Sequence, residues 1–455
     1  MQLFTLFAFS VLLLQGIVVR GGVIPGLIAD ALAGAAVLMI SGALLKYRRV
    51  DLTTKYALYF TIFSALIVTG WFVNNESPGA AVAGIRYYLS GFVFCLLPLV
   101  YRFTDKQLFV QLILLLGIGM VQTPMTVLQR FVIYRNVGTG DVIGGTLGAN
   151  SSGVLSLFLA IEMAVLVGFY VKGKIPLAAF LACLLMIFIP TTLNETKVTF
   201  VLIPVIFLAP YFFAGVFRKN KLRLVIAGLG VSLVLVASGS VYQYLMVDLY
   251  GRNNMTLSRF SSWEGISDFL QSYMAPQMVA KESGDSVSEP HMVGRVDKIV
   301  IPLQILSKDP VTLLVGYGVG NTAKTPIDIL KGEYVEETDR YIGGPYLAKV
   351  IWETGLLGAS LFMLFLLFVF RDARYIAHRH SGLAGTFAFS WQTGMIIVIL
   401  AVLYGPILAH DAVAPVAWFY IGFILSLRAR IHSFADPLDA SIKACPSSSM
   451  KLTAG

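Results

Sequence analysis

Apolar windows of about 20 residues recur along this chain, the length a helix needs to cross the ~30 Å hydrocarbon core of a bilayer. Lipid offers no water to an open backbone, so a crossing segment must satisfy its own hydrogen bonds, as a helix does. Composition points the same way. Of the 455 residues, 57% are hydrophobic and 13% charged, where a soluble domain carries about a quarter charged. These features predict an all-α polytopic membrane protein.

About twelve transmembrane helices are expected, at residues 2–19, 24–45, 55–73, 79–100, 107–133, 150–171, 174–190, 197–214, 222–247, 347–370, 385–404 and 412–428. The basic connections "KYRRVDLTTK", "YRFTDK", "VKGK", "FRKNKLR" and "RDARYIAHRH" alternate with "NNESPG" and "YGPILAHD". Basic loops face the cytoplasm, which places both termini there. The net charge of +9 is read in the same way rather than as a nucleic-acid surface. The first segment has neither a basic start nor a small-residue cleavage site, so it reads as a retained helix. Cys95, Cys183 and Cys445 have no ligand spacing, so neither a metal nor a disulfide framework is expected, and no cofactor is implied.

The chain then divides into helices 1–9 over residues 1–247, a large outer loop over 248–346, helices 10–12 over 347–431 and a disordered cytoplasmic tail over 432–455. A loop of that length is functional or disordered as a rule. It holds aromatic residues, Trp263 among them, and an amphipathic segment, "GRVDKIVIPLQILSKDP". Asp309-Pro310 should end that helix, because the residue before proline avoids the α region. No repeat of 20–50 residues is present.

Several ionisable residues fall within or at the ends of the apolar windows: Asp30, Arg86, Arg130, Glu162 and Lys197. Such residues usually face a cavity or pair with one another. Arg130 and Lys197 also suit snorkelling to the interface, and Arg86 suits a structural pairing with Asp30 or Glu162. If the orientation holds, Arg86, Arg130 and Lys197 lie at a similar depth on the outer side. A cavity lined by one sign of charge draws the opposite sign, and guanidinium groups grip phosphate oxygens in pairs. A lipid-linked phosphate or diphosphate fits. Arg295 and Lys298 are three apart and add two cations on one helix face.

Four segments resemble the bacterial O-antigen polymerase and O-antigen ligase superfamily, integral-membrane glycosyltransferases of the C fold class. "GGTLGANSSGVLSLFLAI" carries Asn150 at the matching position, and "TLNETKVTFVLIPVIFL" has Thr196-Lys197 in place of the family's Ser-Arg. "GRVDKIVIPLQILSKDPVTLLVGYGVGN" matches at Arg295, Pro310, Gly316, Gly318 and Gly320. "GGPYLAKVIWETGLLGASLF" matches at Tyr346, Leu347, Glu353, Gly355 and Gly358. Lys197 keeps the charge of the family arginine without its fork. Gly343 and Gly344 stand where ligases have a His-Asn pair, which favours a polymerase.

The resemblance implies polymerisation of undecaprenyl diphosphate-linked oligosaccharides into O-antigen, capsular or exopolysaccharide at the periplasmic face of the inner membrane. Arg86, Lys197 and Arg295 would stabilise the departing diphosphate. Arg130, Asn150, Lys298, Tyr346 and His410 would bind substrate, with Tyr346 and Trp263 stacking on sugars. Glu353, His410 with Asp411, and Asp339 are the candidate bases. A flippase and a chain-length regulator are the implied partners besides membrane lipid. Ligase-type transfer of a finished glycan, transport of a lipid-linked saccharide and a scaffold role are the alternatives.

Overall fold

The computed structural model describes residues 1–18, 23–135, 142–194, 198–215, 295–325, 327–336 and 344–434, with single positions between them. The expected span 222–247, most of the outer loop and the tail after 434 lie outside the described residues. Every regular element among the described residues is helical. They run α1 (Gln2–Val18), α2 (Val23–Tyr47), α3 (Thr54–Val73), α4 (Pro78–Val100), α5 (Asp105–Leu128), α6 (Ser152–Val171), α7 (Leu177–Leu193) and α8 (Val198–Phe213). After the gap come α9 (Asp297–Leu306), α10 (Pro310–Val315), α11 (Tyr346–Arg379), α12 (Leu383–Tyr404) and α13 (Ala414–Phe434).

Eight helices are long and apolar enough to cross a membrane, and α1, α7 and α8 are shorter apolar helices. The chain is therefore an all-α, multi-pass membrane protein. Each of these eleven helices falls on an expected span. Burial separates centre from rim: 83% of the α6 window is buried and 17% of the α3 window. The α6, α12 and α13 helices form the middle. Phe387, Trp391, Phe419, Tyr420 and Phe423 interlock there at ring-centroid distances of 5.1–5.7 Å. Glu162 of α6 sits against Gly119 of α5, where a Cβ would collide with its carboxyl.

Local chemistry fixes the helix ends. Ser77 caps α4 through Ala80 N with Pro78 at the first position, as side-chain oxygens do at N-caps. Thr104 and Gln107 form a reciprocal capping box on α5,. The α9 helix stops at Leu306, and Asp309 accepts from Thr312 N at 3.0 Å to open α10 with Pro310 first. Asp309-Pro310 thus ends one helix, as expected, and starts another that periodicity alone does not reveal.

Two features depart from a simple bundle. The 3₁₀ turn Gly145–Leu147 is tucked beside α1 and α5. Its polar backbone would be costly there. Gln129 exchanges two 2.8 Å bonds with Gly145, and Gln122 accepts from Thr146 N at 2.8 Å. The other departure is α11, which runs to Arg379 and not to 370, because Asp372 is anchored. Lys55 at 2.7 Å, Tyr56 at 2.7 Å and Arg428 at 3.4 Å hold its carboxylate. The same helix is interrupted near its start, at Gly355.

Candidate functional site

The interruption organises one end of the bundle. Gly355 has φ 61° and ψ −163°, and Gly316 has φ 73°, both left-handed values that suit glycine. The two backbones touch: a Cβ on Gly316 would lie 2.6 Å from Gly355 N. A helix break frees carbonyls that need donors. Tyr317 N donates to Trp352 O at 2.8 Å and Gly318 N to Glu353 O at 3.1 Å. The "GYGVGN" turn thereby supplies the hydrogen bonds the helix lost. Tyr317 stacks between Tyr334 (4.0 Å) and Trp352 (5.6 Å), sealing the turn onto α11.

Glu353 ties the same turn from its side chain. Its Oε1 accepts from Thr322 Oγ1 at 2.7 Å and Gly320 N at 3.3 Å, and Lys349 Nζ lies 3.8 Å away. Lys349 also sits 3.3 Å from the Tyr87 ring centroid. Across the turn is Glu76, 5% exposed, from the α3–α4 connection. A Cβ on Gly318 or Gly320 would press on its carboxyl at 2.8 or 3.0 Å. Neither Glu76 oxygen has a hydrogen-bond donor among the described residues. Burial first, and the Glu353 charge second, push Glu76 up from the ordinary 4.5 to about 8. Two carboxyls so placed resist ionising together.

Beside this clamp sits a pair of cations. Arg295 donates from Nη1 to Tyr404 O at 2.6 Å, with its guanidinium 3.9 Å from the Tyr404 ring centroid. Lys298 runs along Gly344, where an added Cβ would be 2.7 Å from its Cδ. Burial, then the charge of Arg295, lowers the Lys298 pKa. The first turn of α11 joins them, since Tyr346 N donates to Gly405 O at 3.2 Å. Tyr346 is buried, with Tyr88 6.3 Å away edge-on.

His410, between α12 and α13, faces Ser151 Oγ at 3.3 Å from Nε2. Ala412 N donates to Nδ1 at 3.3 Å, so a neutral ring carries its proton on Nε2. Burial pushes His410 down to about 4, which keeps it neutral at pH 7. Next to Ser151, Asn150 is exposed with φ 63°.

Arg86 is bound to Asp30, with Nε 2.9 Å from Oδ2. Asp411 is close by, raised by burial and then by Asp30, and lowered in part by Arg86. Asp30 is one of the two structural partners, with Glu162, that the sequence leaves open for Arg86. Arg130 is 1% exposed, in the π-helical turn Gln129–Ile133 that prolongs α5. Lys197, Asp339 and Trp263 lie outside the described residues.

One end of the bundle therefore gathers Arg295, Lys298, Tyr346, Glu353, His410 and Asn150. It adds Glu76, Lys349 and Tyr404, which the sequence analysis does not single out. The four-residue spacing of Lys349 and Glu353 was a usable signal; Glu76 and Tyr404 carried none. Chemically, Arg295 and Lys298 bring two half-buried cations near each other. Glu353 is enclosed, with Oε1 bound to the turn. Among the described residues no group of three or more His, Cys, Asp or Glu side chains could hold a metal. No protein-family model matches the chain, and no curated protein matches it.

Proposed function

We propose that this protein is a polysaccharide polymerase that joins oligosaccharide units carried on undecaprenyl diphosphate. The end bearing Arg295 and Lys298 would face the periplasm of the inner membrane, with both termini cytoplasmic. The observation that carries the reading is the Arg295–Lys298 pair, two cations held close together against Tyr404 and the start of α11. Arg295 is near enough to lower the Lys298 pKa, so the two cations can act together on one diphosphate. The apolar bundle alongside suits its prenyl chain.

In the proposed reaction the anomeric carbon of the donor loses its bond to the diphosphate oxygen. It forms a bond to a hydroxyl oxygen of the acceptor unit. The diphosphate leaves with the bonding pair, and the hydroxyl proton passes to it or to water. Arg295 and Lys298 stabilise the growing negative charge, a contribution for which one donor is often worth about 10²–10³ in rate. Arg86 and Lys197 belong to the same proposal, Arg86 by exchanging Asp30 for phosphate. Glu353 acts by positioning the glycine turn. His410 has no free lone pair in its Nε2-protonated form and orients Ser151.

The purified protein is tested with undecaprenyl diphosphate-linked repeat units, and products are resolved by length. Elongation that falls at least a hundredfold in Arg295→Ala, in a protein that stays folded, supports the reading. Absence of elongation by the wild type, or full activity in Arg295→Ala and Lys298→Ala, sinks it.

A further inference from the structure

The opposite, basic end of the bundle holds a second site. A cavity of about 250 Å³ opens there, lined by Tyr47, Arg49, Tyr101, Arg102, Phe103 and Gln107. A single water takes up roughly 30 Å³, so a phosphate with its substituents fits. The walls come from the end of α2, the α4–α5 connection and the start of α5. Asp51 N donates to Leu99 O at 2.7 Å, which pins the segment after Arg49 to the end of α4. Arg48 turns the chain there with φ 49°, a left-handed value that glycine usually takes at a helix end.

The charge is unbalanced. Asp51 is shared by two arginines: Arg102 grips both its oxygens at 2.9 and 3.0 Å, and Arg430 approaches at 3.7 Å. Arg49 lies over the Tyr47 ring at 5.6 Å and has no carboxylate partner among the described residues. Among the described residues Arg102 is bound through Nε and Nη2, which leaves Nη1 for a ligand. Gln107 uses Oε1 in its capping box, so its amide N–H groups are also available.

We infer that this cavity binds the headgroup of an anionic phospholipid. A lipid suits the place better than a soluble anion. The cavity lies where the apolar helices α4 and α5 end and begin. One turn along the same helix faces as Tyr47 and Gln107, Leu44 of α2 and Val110 of α5 are each 37% exposed, apolar surface for acyl chains,. Basic pockets between membrane helices take anionic headgroups in this way.

The experiment titrates the full-length protein, in nonionic detergent, with phosphatidylglycerol or with phosphatidylcholine of the same chains, read by native mass spectrometry. The expected result is at least tenfold tighter binding of phosphatidylglycerol. Arg49→Glu should weaken that binding about tenfold and leave phosphatidylcholine unchanged, while Arg49→Lys keeps most of it. Arg371→Glu, an exposed charge on α11 at the same end, should change it less than twofold. Equal binding of the two lipids would overturn the inference. So would a loss in Arg371→Glu as large as in Arg49→Glu, since that marks diffuse surface charge. Complete displacement by millimolar inorganic phosphate would also overturn it, by assigning the cavity to a soluble anion.

Discussion

Glu76→Gln should make the protein less sensitive to pH. Glu76 is buried, lacks a hydrogen-bond donor among the described residues and faces the carboxyl of Glu353 across the glycine turn. Its pKa is raised to about 8 from 4.5, so the folded protein holds a proton that the unfolded chain has released. Stability from this group is complete below pH 4.5 and is lost as pH rises to 8. At about 1.36 kcal/mol per pH unit, the full loss is roughly 5 kcal/mol as an upper bound. His410, lowered to about 4, works in the opposite sense, mostly between pH 4 and 6.5, and is common to both proteins. Between pH 6.5 and 8 Glu76 therefore acts alone of the two, and the wild type should lose about 2 kcal/mol. Glutamine copies the protonated acid and cannot ionise. The assay is equilibrium unfolding in mixed micelles of dodecyl sulfate and nonionic detergent, from pH 5 to 9, for both proteins. They should diverge steadily from about pH 5 to pH 8, with Glu76→Gln the more stable. Parallel profiles across the whole range would refute the argument that Glu76 is held protonated.

His410→Asn should flatten the acid limb. The wild-type contribution is present above pH 6.5 and lost as pH falls to 4, about 3 kcal/mol in all, seen by the same unfolding series. Asp372→Ala should cost about 3–5 kcal/mol, because it leaves Lys55 and Arg428 facing a buried, empty position,; an unchanged unfolding midpoint counts against that clamp. Gly316→Ala and Gly355→Ala should each lower the yield of monodisperse protein on size exclusion, since both φ values are positive and the backbones touch. Arg295→Lys should keep more glycan elongation than Arg295→Ala, with a gap of at least tenfold.

The crossing helices were legible because lipid imposes one rule over twenty residues at a time. Small shifts at their ends did not hide the α4 or α6 windows. The same averaging concealed the break in α11: "YLAKVIWETGLLGASLF" scores as one apolar run, and the single Gly355 that divides it has no weight in a window. The site was partly legible for a similar reason. Arg295, Tyr346 and Glu353 stand in segments with a family resemblance, and Lys298 is a near neighbour of Arg295 in sequence. Glu76 was not, because its meaning depends on Gly318, Gly320 and Glu353, remote positions brought together by packing. Arg86 shows the converse. Its charge was conspicuous, but only the fold chose Asp30 over Glu162 as its partner.

The position of Gly355 also sets where the bilayer begins for this helix. Counted from Tyr346, α11 has 34 residues, or about 51 Å at 1.5 Å per residue, far more than lipid requires. Counted from the glycine, residues 356–379 span about 36 Å, close to the ~30 Å hydrocarbon thickness with a turn to spare. The first nine residues are then a separate helical piece, surplus to the crossing. Lys349 and Glu353, both buried in protein, then belong to the part of the helix that the crossing does not require. A hydropathy count runs both charges into the crossing, because the single glycine that divides the helix has no weight in it.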